Sequence, residues 1–307
     1  MLFLARWAAA GEPAWIDDDP GRALEAGKSG GRPVLIFWRD AGGTVSALAA
    51  EDLSGSAALL DWIPDHFVPA RLERGKFGEL AKRFGIEESP AVTVLDADGV
   101  WLVSWRGFRP AGDLLVALKN LPGVLKRKTV AEAALAGNTG DSAARVALGD
   151  ALLDLERPDA AREQFEKALG DSAVAAAAWW GLARVRLAAG QPSSALEAAA
   201  KVEELDPQNH LGRTDNAAAL RARMEEGPDA SLARAALAKV CESFPGTDGA
   251  TEALYLEAAI LANVDGDFAG ARERLRRVRS DGAGTEWEWR AAFALARLEG
   301  RGAGGGR

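Results

Sequence analysis

The sequence predicts two domains of different class, an α/β domain followed by an all-α repeat array, and three observations predict it. "RPVLIFW", Arg32 to Trp38, is a continuous apolar run of strand length, suited to a strand buried on both faces. Past residue 122 the residues that favour strands thin out and alanine-rich helical patterns take over. Within that second part "ALGDALLDLERPDAAREQFEKAL" superposes on "GLARVRLAAGQPSSALEAAAKVEELDPQN" with a shift of 34 residues. Self-similarity at a fixed period of this size marks stacked repeats.

The first domain, residues 1–122, reads in order. "DDPGRALEAGKSGG" has an acidic start, an early Pro and closing glycines, the boundaries of a helix, which the run Asp17-Asp18-Asp19 is expected to cap. The apolar strand follows, and residues 44–62 hold one or two helices interrupted around Ser54-Gly55-Ser56. "HFVPARL" is a second strand, and "KFGELAKRFG" a short helix closed by Gly85. "PAVTVLDADGVWLVSW" makes a hairpin turned by Asp98-Gly99, and "RPAGDLLVALKNL" a last helix starting near Pro110. His66, just before a strand, is expected at the surface.

Phe37-Trp38 ahead of a turn, "FGIEESPAVTVLDADG" and the Asp-Gly hairpin arrive in the order and spacing of the thioredoxin fold, which residues 14–121 resemble. Pro90 stands where that family has its cis-proline. Aligned on Phe37-Trp38, the two cysteine positions become Gly42 and Val45, and the family's buried acidic residue becomes Ile36. Neighbouring registers offer only Ala41, Gly43 and Thr44. Nucleophile and proton acceptor are missing together, so the resemblance implies a redox-inactive domain rather than a thiol–disulfide enzyme. The degenerate turn, Ala41 to Val45 beside Pro90, is a candidate second site for an extended peptide or an anion.

Residues 123–140 read as a linker and first helix, "LPGVLKRKTV" being a hinge before a new helical start. From 141 to 300 the 34-residue pattern places Leu148 on Leu182, Ala161 on Ala195 and Phe165 on Ala199. Trp179, Leu182, Ala183, Ala195 and Pro207 fit the tetratricopeptide repeat, which this half resembles. A fourth repeat fits through Tyr255, Ala271 and Leu275, and a degenerate third keeps Ala233, Leu237 and Val240. A final helix begins at Thr285-x-x-Glu288, a capping box, with Trp287 or Trp289 packed inward to cap the stack. Residues 301–307 are expected to be a disordered tail.

Such repeats bind through the concave surface made by the first helix of each repeat. The groove positions so counted are Val146, Asp150, Leu153 and Asp154, then Trp180, Arg184 and Leu187, then Leu256, Ile260 and Asn263. Trp180 beside Arg184 has the composition of a binding hot spot, the alternative being that Trp180 packs against the adjoining repeat or the thioredoxin-like domain. The Lys and Asn set that clamps a C-terminal carboxylate in some family members is absent.

Bulk properties narrow the classes. The net charge of −8 divides evenly, 13 basic against 17 acidic residues in 1–122 and 24 against 28 beyond, so neither part has the basic footprint of a nucleic-acid binder. Arg272, Arg274, Arg276, Arg277 and Arg279 read as a solvated helix face. "MLFLARW" is too short for a signal peptide and no apolar stretch approaches a membrane span, which with a single cysteine predicts a cytoplasmic protein. "AGKSGG" lacks the first glycine of a phosphate loop, where Arg22 stands, and precedes a strand instead of following one. Two histidines leave no His-based metal cluster or triad, and no cofactor is predicted. Cys241, near Ala238 and Phe244, reads as a small buried apolar residue.

The pair of domains resembles the bacterial chaperedoxins, co-chaperones that hold unfolding clients and pass them to a chaperonin. That resemblance implies a non-catalytic, holdase-like protein with protein or peptide partners, among them a chaperonin and unfolded clients. The alternative is a dedicated adaptor whose repeats recognise one partner. The oligomeric state is not legible.

Overall fold

The structure, a computed structural model, describes residues 15–225 and 229–304. It divides into two compact units, with the boundary between Lys119 and Asn120. No described helix is long and apolar enough to cross a membrane.

The first unit is built on a five-stranded mixed sheet of order β1-β3-β2-β4-β5. Its strands are β1 (Ile16–Asp17), β2 (Val34–Arg39), β3 (Val68–Glu73), β4 (Ala91–Leu95) and β5 (Trp101–Arg106). β1 and β2 run parallel to β3, while β4 runs antiparallel to both β2 and β5. Helices α1 (Pro20–Gly30), α2 (Thr44–Ser54), α3 (Ala57–His66) and α4 (Gly78–Arg83) fill the connections, and α5 (Ala111–Gly137) follows the hairpin.

Central β2 explains its apolar run. Val34, Ile36 and Trp38 join a core with Ala23, Ala81 and Phe84, while Leu35 and Phe37 meet Leu53, Leu59, Ile63 and Leu114. Trp38 is fully buried, and its indole N–H donates to Thr93 Oγ1 at 2.9 Å. Thr93 in turn shares a 2.9 Å hydrogen bond with Ser104, to which Trp101 donates at 3.1 Å. These three side-chain groups and the Trp101 indole thereby satisfy one another.

The acidic run divides its duties. Only Asp19 caps α1, accepting from the Arg22 N–H at 2.9 Å. Asp17 is held by the Arg71 guanidinium through two hydrogen bonds of 2.8 and 2.7 Å. Asp18 accepts from the Glu73 N–H and from Lys76. Burial pushes Asp18 up, but those two hydrogen bonds and the Arg39 charge outweigh it and hold the carboxyl below its usual range. His66, the last residue of α3, is exposed and stacks on Trp62 with ring centroids 4.0 Å apart.

The hinge expected at residues 121–130 is helix. α5 runs unbroken through Pro122 to Gly137. Pro122-Gly123 reads as a break because both residues disfavour a helix interior. Leu118, Leu121 and Val124, spaced as one helical face, are nevertheless buried.

The second unit is a stack of helix pairs: α6 (Ser142–Asp154) with α7 (Pro158–Ala168), α8 (Ala175–Ala188) with α9 (Pro192–Leu205), α10 (Thr214–Glu225) with α11 (Ala230–Ser243), and α12 (Asp248–Ile260) with α13 (Phe268–Asp281). Helix α14 (Glu286–Gly304) closes the series, packing on α13. Pro158 and Pro192 open the second helices of the first two pairs, where a missing N–H costs nothing. Phe165, fully buried, lies against Gly149 of its own pair and Gly181 of the next. Helix α12 ends in a π-turn, Leu261–Asp265, closed by Gly266 at φ +70°.

Two terminal expectations change. Thr285 does begin the last helix, accepting from the Trp287 N–H, but Glu288 reaches back to the Gly284 N–H rather than to Thr285. Residues 301–304 of the expected disordered tail belong to α14, and residues 305–307 lie outside the described residues. So do residues 1–7, on which the absence of a signal peptide was read.

Candidate binding groove

The first helices of successive pairs line a groove of about 580 Å³ within the second unit. Five arginines and five carboxylates line it, with Trp180, Leu187 and Leu220 among its apolar walls. The side chains follow from the repeat geometry. Positions four apart on a helix share a face, so Asp150 and Asp154 project together from α6, and Trp180 and Arg184 from α8.

Charges in the first half of the groove satisfy one another. Arg184 donates to Asp150 at 2.9 Å and to Asp154 at 2.8 Å. Arg127 of α5 pairs with Asp154 at 3.0 Å, and Arg213 reaches Asp150 at 3.4 Å. Three guanidiniums thus hold two carboxylates in a partly buried chain, which fixes rotamers that long side chains would otherwise sample. Burial raises the Asp150 carboxyl, with Arg184 and Arg213 pulling against it and Asp154 adding to it. Trp180 is half-buried, packed against a cluster that includes Ala176, Ala183 and Leu220, with its remaining surface on the groove.

The second half is organised differently. Asp248 takes neutral donors, the Trp287 indole N–H at 2.6 Å and the Asn216 amide at 3.3 Å. Glu286 pairs with Arg290 at 3.2 Å, and the Arg290 guanidinium lies 5.0 Å from the Trp287 ring centroid. Burial raises the Glu252 carboxyl; Arg223 and Arg290 pull it down, while Asp248 and Glu286 push it further up.

Of the residues read from the sequence, Asp150, Asp154, Trp180, Arg184 and Leu187 come together in this groove. The others do not. Val146 belongs to the core beneath, in one cluster with Ala131, Leu148, Leu152 and Phe165, and Leu153 packs against that cluster. Leu256 and Ile260 pack against Ala219, Ala222 and Leu237. Asn263 lies in the π-turn and lines a separate cavity of about 170 Å³ with Tyr255 and Leu275. In the fourth pair the residues on the groove are Asp248 and Glu252, one turn and more before the positions counted from the motif. Arg127, Arg213, Asn216, Arg223 and the α14 residues Glu286 and Arg290 escaped the sequence reading altogether, and Trp287 was not read as a groove residue. For Trp287 a signal existed, since it was expected to pack inward. It is buried, and meets Tyr255 at 5.7 Å.

The turn of the first unit is solvent-facing. Ala41, Gly42, Thr44 and Val45 are exposed, Gly42 takes φ +76°, and Gly43 opens α2 with no side-chain cap. Asp40 is engaged by Arg74 at 3.1 Å. The Ser89–Pro90 peptide bond is cis, and buried Pro90 directly precedes β4. Cys241 is half-buried between two core clusters, and burial raises its thiol.

Successive helix pairs packed in series form a tetratricopeptide-like helical solenoid. Residues 146–210, from α6 through α9, match the tetratricopeptide repeat family model. Among solved structures the chain is similar to YrrB, described as "a TPR protein with an unusual peptide-binding site". The two share 21% identity over 58% of this chain and 86% of that one, with a TM-score of 0.33. No curated protein sequence matches.

Proposed function

We propose that this is a non-catalytic adaptor that holds a segment of a partner protein in the groove of its repeats. One observation carries the reading: Trp180 stands on the groove wall beside Arg184, whose two hydrogen bonds to Asp150 and Asp154 fix it in place. An aromatic anchor beside an ordered guanidinium suits a binding hot spot, and preorganised side chains lose little entropy on binding. The match of residues 146–210 to the tetratricopeptide repeat supports the same role. Walls made largely of charged residues favour a dedicated partner over many unrelated clients.

In this reading the first unit is a redox-inactive thioredoxin-like domain. The element order that carried the resemblance supports it, as does a turn that offers only Ala41, Gly42, Gly43, Thr44 and Val45. A holdase-like co-chaperone is the second reading, favoured by Val45 and Leu48, which leave α2 with two large exposed apolar side chains.

Affinity capture with brief crosslinking and mass spectrometry, on wild type and the Trp180→Ala/Arg184→Ala variant, separates the two. A single stoichiometric partner lost in the variant supports the adaptor. A broad set of unrelated proteins with a chaperonin, unchanged in the variant, overturns it in favour of the co-chaperone.

A further inference from the structure

The charges of the groove are not evenly partnered. In its first half each carboxylate is met by two guanidiniums, so that region needs no counterion from a ligand. In its second half Asp248 is met only by neutral donors, and Glu252 has neither a hydrogen bond nor an ion pair among the described residues. Arg223 of α10 and Arg290 of α14 both act on Glu252 through charge, yet neither makes an ion pair with it: Arg223 is exposed, and Arg290 is engaged by Glu286. A solvated arginine loses nothing by staying free. A half-buried carboxylate with no ion-paired cation is in the opposite position, since desolvation disfavours its charged form and the two more distant arginines offset that only in part.

We infer that the groove selects a segment carrying a basic side chain, Lys or Arg, whose cation sits between Asp248 and Glu252. The inference rests on the groove reading above and adds its polarity. An apolar or aromatic residue of the same segment packs on Trp180 and Leu187 toward the other end. Charge decides the orientation as well. The first half, with three arginines on two aspartates, carries a formal excess of one positive charge, and the second, with two arginines against three carboxylates, one negative. The bound segment therefore places its basic residue over α12 and any acidic residue toward α6. A ligand of the opposite sense would meet like charge at both ends, which costs binding and slows encounter.

The test begins with selection of a random dodecapeptide library on the full chain. Consensus peptides, labelled with fluorescein, are then titrated by fluorescence anisotropy against wild type, Glu252→Gln, Glu252→Lys and Trp180→Ala, each checked for native helical circular dichroism. A consensus with Lys or Arg is expected. Replacing that residue by norleucine should weaken binding to wild type about tenfold or more, the effect of losing a close charge pair, and clearly less to Glu252→Gln, where Asp248 alone still faces the cation. Glu252→Lys should reverse the preference toward acidic peptides. If Glu252→Lys does not fold, the isosteric Gln variant and the norleucine peptide carry the comparison. A consensus without a basic residue, or a norleucine penalty equal in wild type and Glu252→Gln, overturns the inference. The groove reading then survives if Trp180→Ala still abolishes binding. Selected peptides indifferent to both Trp180→Ala and Glu252→Lys, or no consensus at all, sink both.

Discussion

Gly181→Ala tests whether the Phe165 ring sets the spacing of the first two repeats. A Cβ built at Gly181 falls 2.3 Å from two carbons of that ring, and one at Gly149 falls 2.6 Å from it. Phe165 is fully buried, so the ring cannot swing into solvent. Alanine in a helix interior gains roughly 0.5–1 kcal/mol over glycine, whereas overpacking a filled site costs about 1–3 kcal/mol. The second effect wins, and Gly181→Ala is expected to destabilise the protein by about 1–2 kcal/mol. Gly123, exposed in α5 with only the Arg127 side chain nearby, isolates the helix term. There the same change should stabilise by roughly 0.5–1 kcal/mol. Phe165→Val removes the ring atoms involved and leaves a cavity that the new methyl partly fills. In that background Gly181→Ala should turn neutral or stabilising, a coupling of about 2 kcal/mol. Urea unfolding followed at 222 nm, with the slope unchanged between variants, measures all four. If Gly181→Ala stabilises as Gly123→Ala does, or shifts the midpoint equally with and without Phe165, the steric argument is wrong.

Three further predictions concern buried polarity. Thr93→Val leaves the fully buried Trp38 indole N–H without its acceptor and should cost about 1–3 kcal/mol in urea unfolding, with Thr93→Ser retaining most of the stability. An Asp150→Ala/Arg184→Ala double-mutant cycle should give a coupling near 1 kcal/mol that shrinks with added salt, as expected for a partly exposed pair. Glu252, faced by Arg223, Asp248, Glu286 and Arg290, has a carboxyl raised by folding, so its protonated form favours the native state. That contribution is present below the unfolded-state pKa and is lost as pH rises through the raised native value. Glu252→Gln should therefore melt higher than wild type at neutral pH and converge with it near pH 4; parallel curves would contradict this.

The first unit was legible because its breakers stand where the backbone needs them. Gly31 ends α1 at φ +61°, Gly85 closes α4 at φ +68°, and Gly99 turns the hairpin at φ +83°. The repeat period was legible for a related reason. Small buried residues recur at the 34-residue spacing, Gly149 with Ala183 and Ala161 with Ala195, and close packing of helix pairs repeats such constraints. Pro122-Gly123 misled because local propensity opposes a helix there, while buried Leu118, Leu121 and Val124 sustain it.

That one misreading propagates into the groove. With residues 123–140 read as a linker and first helix, no residue before 141 counts as groove-facing; as one continuous helix, α5 shares a core cluster with Val146 through Ala131 and contributes Arg127 to the groove. The same holds at the other end. A cap helix judged only by its apolar stripe would close the core through Trp287, but it also brings Arg290 and the indole N–H that holds Asp248. Motif positions say which residues a repeat leaves free, and they say nothing of what neighbouring helices do with them. That Glu252 has no hydrogen bond or ion pair among the described residues is legible only once α10, α12 and α14 are all in place. For that reason the polarity of the ligand is a property of the assembled stack, and no single repeat would disclose it.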